Sequence, residues 1–451
     1  MKNNYLKSLV ILLLLGTQIS AQNYETKFNL NECLNYALKN SVMIKRSLLE
    51  IKSSDEKIRE VRSNGLPQIS AFAKVEHYPE IAEQYIPGEI FGNPGETIAV
   101  KFGKENMAVG GISVNQLIYD RGFWVGLKSA ETSKEFYRLN KIKTREDVIY
   151  NVSAQFYQIR ILDEQESVLS ANIEKLNEVV RVSKLQFETD FIKQSDYEKA
   201  KISLSNIIVE KLDLEKRKIE SLNNLKLLMG FPVEKELNLE NNSAASFIIT
   251  NELTNGESKK ITDIRLLEKS KELKELEISS VNAGYLPSLS AYAKVNYQKS
   301  MDEFTPFSDD TKWNRSTTLG IQLSVPVFDS FNKSAKSEQA KLRLQIAEEE
   351  LNQANNKVKA DLKNASLLYQ KNLLSVNTQK ENAGLAEKVY SQEFLQYKEG
   401  ITTMTDLLNA EASLREAKTS LNQSLLQLKL AELSLLKAKG LLNIILTSQE
   451  N

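Results

Sequence analysis

Side chains that do most protein chemistry are scarce in this 451-residue sequence, which has one histidine, His77, and one cysteine, Cys33. It holds no Cys/His cluster of zinc-ligand spacing and no Gly-rich phosphate loop, and its single histidine has no placed Ser or Cys partner for a nucleophilic triad. No catalytic residue, cofactor or metal ligand is expected. The lone cysteine excludes an internal disulfide and reads as a small buried hydrophobe. His77 follows an alternating segment and reads as a solvent-facing residue at a strand end. The polar residues that stand out are Ser195-Asp196 and Thr405-Asp406, hydroxyl-carboxylate pairs at two matching places. Their chemistry is electrostatic. They fit N-caps with a favourable helix dipole, and if the chain repeats around an axis, Asp406 fits a carboxylate ring that favours cations at a constriction.

Those pairs belong to a duplication. Leu66-Pro67-Gln68-Ile69-Ser70-Ala71-Phe72-Ala73-Lys74-Val75 recurs as Leu286-Pro287-Ser288-Leu289-Ser290-Ala291-Tyr292-Ala293-Lys294-Val295. Gly111-Ile112 with Tyr119-Asp120 matches Gly320-Ile321 with Phe328-Asp329, so the second copy is shorter between these blocks. Beyond them Phe187 pairs with Tyr397, Asp196 with Asp406, Ala200 with Ala410 and Gly230 with Gly440. Self-similarity over this distance marks two copies of one structural unit.

Within each copy the apolar period changes from two to about three and a half. Ile69, Ala71, Ala73 and Val75 alternate with Ser70, Phe72, Lys74 and Glu76, and Leu289, Ala291, Ala293, Val295 and Tyr297 repeat the pattern. Ile112 and Val114, and Leu319, Ile321, Leu323 and Val325, mark a second strand per copy. The four strands are expected over about 66–78, 107–118, 286–298 and 316–327. At roughly ten residues each they have the length of tilted membrane-spanning strands, and 77–106 and 298–316 carry the turn-forming residues. Phe72, Tyr78, Tyr292, Tyr297 and Trp313 around them suit a lipid interface.

Long helical hairpins are expected over about 125–230 and 331–440. Leu344, Ala347, Leu351, Ala354, Val358, Ala365 and Leu368 follow a coiled-coil seam. Leu407, Ala410, Leu414, Ala417, Leu421, Ser424, Leu428, Ala431, Leu435 and Ala438 hold a strict heptad, matched in the first copy by Tyr197, Ala200, Leu204, Ile207, Leu214, Leu225 and Leu228. A helix of some 60 residues extends about 90 Å, more than one globular core needs, so a tube or rod is expected. The organisation is then a first repeat over 22–240, a linker over 241–261 and a second repeat over 262–451.

Residues 1–21, with Lys2 and Lys7 before an apolar run from Leu9 to Leu15 and Ile19-Ser20-Ala21 at the cut, read as a secretory signal. Lys plus Arg and Asp plus Glu balance at 59 each, which gives no support to nucleic-acid binding. Four strands cannot close a barrel in lipid, where open edges are forbidden, so the chain must oligomerise. Two copies would give eight strands and three would give twelve.

The residues resemble the TolC-like outer-membrane efflux and secretion proteins over nearly the whole chain. The likeness rests on Leu30-Asn31-Glu32-Cys33-Leu34 with Ala37-Leu38-Lys39-Asn40, on the two Leu-Pro strand starts, and on Tyr397-Lys398-Glu399-Gly400-Ile401 followed by Asp406-Leu407-Leu408-Asn409-Ala410-Glu411. The resemblance implies an α+β membrane protein in which four transmembrane β-strands per chain join a shared trimeric β-barrel and long coiled-coil hairpins form an α-barrel. It implies a homotrimer in outer-membrane lipid, with the helical barrel in the periplasm, working with a periplasmic adaptor and an inner-membrane pump in tripartite efflux or type I secretion.

The expected docking tips are Asp190, Phe191, Ile192 and Ser195 in one copy and Gly400, Ile401 and Thr405 in the other. The expected gate comprises Tyr397, Asp406, Asn409, Asp196 and Thr402. Tyr397 and Asp406 match the family's lock, whereas Thr402 stands where it has an arginine and Asn409 where it has a second aspartate, which implies a differently built closed state. Gly400 suits a left-handed helix end and Asp190 is a weaker substitute there. The rival readings are a periplasmic coiled-coil adaptor, which lacks a reason for duplicated alternating strands, and a structural coiled-coil envelope protein.

Overall fold

The computed structural model describes residues 27–92, 94–240, 261–304, 306 and 312–447. The expected signal 1–21 and all but the last residue of the linker 241–261 lie outside them. In chain order the elements are α1 (Leu30–Asn40), α2 (Val42–Ser63), β1 (Gln68–His77), β2 (Glu83–Pro87), a 3-10 turn, β3 (Thr97–Lys101), β4 (Asn106–Tyr119), α3 (Arg121–Glu188), α4 (Gln194–Met229), α5 (Thr262–Ala283), β5 (Ser288–Met301), β6 (Asn314–Ser324), α6 (Asn332–Lys398), α7 (Met404–Lys439) and α8 (Ile444–Thr447). The chain divides into two compact units.

The unit made of 45–144 and 259–361 holds a four-stranded antiparallel sheet in the order β1-β4-β5-β6. Its register carries the alternation across all four strands. Ile69 faces Val114, which faces Ala293, which faces Leu319; Ala71, Ile112 and Val295 form the next such row. On the opposite face Ser70, Ser113, Lys294 and Thr318 align. Ser70 and Ser113 hydroxyls lie 2.7 Å apart and the Lys294 ammonium sits 4.9 Å over the Phe72 ring. Among the described residues the apolar face has no cover: Ile69 is 73% exposed, Leu319 76% and Ile321 71%. The sheet's two edges, on β1 and β6, are unpaired among the described residues.

At the loop end of this sheet the His77 ring nitrogen Nδ1 lies 2.9 Å from Asn106 Oδ1, and the Asn106 amide donates to the Asp302 carbonyl at 2.8 Å. Because Oδ1 is left to accept, His77 Nδ1 carries the proton. The segment 77–106 contains more than turns. β2 and β3 pair from Glu83↔Lys101 to Pro87↔Thr97; five-residue strands among Gly and Pro escape a search for ten-residue alternation.

The long helices of this unit start on aspartates that recur between copies. Asp120 Oδ1 accepts from the Phe123 amide at 3.2 Å and Asp329 Oδ2 from the Lys333 amide at 3.0 Å, each satisfying an otherwise orphaned donor. Between helices, Lys134 pairs with Asp55, Lys143 with Asp263, Arg343 with Glu277, and Lys271 with Glu348 at 2.9 Å.

The unit made of 27–44, 145–240 and 362–447 among the described residues is helical. α1 opens on a capping box in which Asn29 and Glu32 exchange bonds of 2.9 and 2.8 Å. It buries Leu30, Cys33, Leu34 and Ala37 against Val148, Val152, Leu225, Leu436 and Ile445. Burial pushes the Cys33 thiol up to about 12, leaving it inert. Gly230 ends α4 at φ 70°, where a Cβ would lie 2.6 Å from the Asn40 carbonyl oxygen, so both conformation and close approach demand glycine.

A second cluster joins Leu176, Val179, Ala200, Ile207 and Leu214 to Tyr390, Tyr397, Leu407 and Leu414. The start of the α7 heptad is buried here: Leu407 and Leu414 are 0% exposed. The α6 frame is less covered among the described residues, with Leu368 exposed.

Candidate functional site: the two helical tips

Each helical hairpin reverses in five residues, 189–193 between α3 and α4 and 399–403 between α6 and α7. Both turns use one backbone device. Asp190 (φ 57°) and Gly400 (φ 71°) are left-handed. The following amides, Phe191 and Ile401, reach back to the Gln186 and Gln396 carbonyls at 2.7 and 2.8 Å, the Schellman bond that satisfies late helical carbonyls.

The returning helices start differently from the expectation. Ser195 and Thr405 are not the N-caps; both lie inside the first turn. α4 begins after Lys193, whose side chain makes no capping bond, and α7 after Thr403. Thr403 Oγ1 accepts from the Asp406 amide at 3.2 Å and donates to Asp406 Oδ2 at 2.5 Å. The backbone selects among the hydroxyls of Thr402, Thr403 and Thr405, and only Thr403 has its carboxylate three residues on.

The tips touch within one chain. Lys199 Nζ lies 3.1 Å from Asp196 Oδ1 and donates to Thr405 Oγ1 at 3.4 Å, tying α4 to α7. The Phe191 ring covers Gly400, where a Cβ would lie 2.8 Å from its Cζ. Tyr397, 3% exposed, packs in the apolar cluster, and its copy-one counterpart Phe187 stacks on Tyr197 with ring planes 6° apart. Burial pushes the Tyr397 phenol up to about 12, opposed by the Ser183 hydroxyl and reinforced by the Asp196 carboxylate.

Of the remaining gate residues, Thr402 donates to Glu393 at 2.8 Å, within its own hairpin. Asp406 is committed to its cap, and Asn409 is exposed one turn further along α7. Lys199 and Thr403 were missed in the sequence although both were readable: Lys199 is three residues after Asp196, and Thr403-x-x-Asp406 is a capping-box spacing. Among the described residues no group of three or more His, Cys, Asp or Glu is placed to hold a metal ion. Among them, too, no helix is long and apolar enough to cross a membrane.

The sequence profile of the outer membrane efflux protein family matches residues 33–231 and 262–441, one block per repeat, and the chain belongs to that family. It is 21% identical over 432 residues to Outer membrane protein TolC of Vibrio cholerae, covering 95% of this chain and 94% of that one. The fold is shared with the outer membrane protein VceC of Vibrio cholerae (TM-score 0.72, 15% identity, 91% of this chain and 96% of that chain). It is shared equally with the outer-membrane channel OprN (TM-score 0.72, 17% identity, 91% and 89%).

Proposed function

We propose that three copies of this chain close their sheets into one twelve-stranded barrel in the outer membrane, forming a passive export conduit that catalyses no reaction. One observation carries the reading: a four-stranded antiparallel sheet, apolar on one exposed face, polar on the other and unpaired at both edges. An apolar face of this extent is covered by lipid in a barrel, and β6 of one copy is antiparallel to β1 of the next, so the edges disappear on closure. The polar face then lines the lumen. Two copies would give eight strands, whose interior side chains fill; twelve leave an aqueous path. The expected signal 1–21 fits export of such a chain.

In this reading the tips of 189–193 and 399–403 form the periplasmic gate and the docking surface for an adaptor coupled to an inner-membrane pump, in tripartite efflux or type I secretion. Lys199 supports that role, supplying a cation at the tips where Thr402 replaces the arginine of the resemblance. Asp406, repeated by symmetry, would favour cations at the entrance. The test is the mass of the detergent-extracted particle, corrected for bound detergent, followed by single-channel recording. A threefold mass with cation selectivity that falls in Asp406→Asn is expected. A monomer that needs no detergent would overturn the channel, and unchanged selectivity would remove Asp406 from the gate.

A further inference from the structure

The helical unit contains an open cavity of about 460 Å³, lined by α3, α4 and α7, that neither the sheet nor the tips account for. Its wall is divided by chemistry. Ile161, Leu162, Leu169, Leu214 and Leu426 give an apolar floor, and Gln158, Gln165, Asn422, Glu210 and Arg217 give polar positions. The volume is that of a small-molecule pocket rather than of a packing defect.

Two polar groups decide what would fit. Asn422 is only 8% exposed, yet its amide Nδ2 has no hydrogen-bond partner. A buried donor left unpaired is costly, so its place on the cavity wall calls for an acceptor from within. Arg217 also lines the cavity and, among the described residues, makes no ion pair, whereas its neighbour Lys218 is held by Asp163 and Glu166, each at 2.8 Å. The one carboxylate on the wall, Glu210, is neutralised by Arg415 at 2.9 Å. The unpartnered Asn422 amide and the Arg217 guanidinium therefore offer a donor and a cation facing an apolar floor, beside the amide side chains of Gln158 and Gln165.

We propose that this cavity is a binding site for a small amphipathic organic anion, an aryl or alkyl body ending in a carboxylate, with Arg217 and the Asn422 amide holding the acid. Because its wall comes from both hairpins, α3 and α4 on one side and α7 on the other, an occupant links them and stabilises this unit of the chain. The site lies within one chain, so it stands or falls separately from the channel reading.

The probe is para-trifluoromethylphenylacetate, with its uncharged amide as control, titrated into the full-length protein in lipid nanodiscs and followed by fluorine NMR. Saturable binding of the acid is expected, with the amide about tenfold weaker, the difference that one hydrogen bond to a charged group supplies. Arg217→Gln, at an exposed position that does not threaten the fold, should abolish the preference for the acid. Asn422→Leu should weaken both ligands, and the acid should raise the thermal midpoint of the wild type but not of Arg217→Gln. Equal binding of acid and amide, wild-type affinity in Arg217→Gln, or no saturable binding would each overturn the proposal.

Discussion

The two tips share a backbone and differ in what holds it. The second has glycine in the left-handed position, a threonine cap that exchanges bonds with Asp406, and a buried tyrosine; the first has Asp190, an uncapped start after Lys193, and Phe187 in place of the phenol. A duplicated turn has thus kept its shape while its local stabilisation has moved to one copy. The first tip leans on the second, through Lys199 to Thr405 and Phe191 over Gly400. The order of release should follow: the first turn frays on its own account, and the second yields only when its cap or glycine is changed.

The largest effect should come from Gly400→Ala, which forces a side chain into the left-handed region and against Phe191. About 3 kcal/mol of local stability should be lost, read as faster amide exchange in both turns because the shared contact is broken. An effect confined to 399–403 would show that Phe191 is not a link. Next is the phenol. Tyr397 has its pKa raised in the folded tip, so its stabilising contribution is complete below about pH 10 and is lost as pH rises towards 12. Over that window the second tip should lose up to about 2 kcal/mol in wild type and none in Tyr397→Phe, with the missing phenolate visible in an ultraviolet difference titration.

Thr403→Ala should cost about 1 kcal/mol, the worth of an N-cap, while Ser195→Ala at the first tip changes little because that hydroxyl caps nothing; equal losses would contradict the assignment of the caps. Asp190→Gly should run the other way, gaining about 1 kcal/mol at the first tip and narrowing the difference in exchange between the copies. Lys199→Met should have the smallest thermodynamic effect, well under about 1 kcal/mol for so exposed a pair. Its readout is single-channel conductance, which should rise as the two tips separate.

Much of this was legible because it is periodic. The α7 heptad named Leu407, Leu414, Leu428 and Leu435, all of which are buried, and the alternation on β5 and β6 fixed the face that carries Ala293 and Leu319. Periodicity identifies an apolar stripe and is silent about its partner. On α6, Ala347 is buried while Leu367, Leu374 and Leu385 lie open; in the trimer proposed above a neighbouring copy would cover them. At the tips, three threonines lie within four positions, and the one with a carboxylate three residues on, Thr403 before Asp406, is the cap, a spacing that the match between Thr405 and Ser195 in the two copies obscured. The β2–β3 hairpin was too short for its two-residue period to stand out among Pro and Gly.

The register of β4 against β5 has a kinetic consequence. It pairs Asn106 with Met301 and Tyr119 with Leu289, residues 195 and 170 positions apart, whereas β1–β4 and β5–β6 close over much shorter connections. Closing the longer connection carries the larger entropic cost, so the central pairing should be the last within the chain to form. Until α3 and α4 have been made and packed, β1 and β4 are a two-stranded ribbon with an uncovered apolar face, marginal in water and prone to pair with the wrong edge. If the chain closes into a barrel as proposed, that face needs shielding until closure, and the order of the strands rather than the length of the helices should set the slow step.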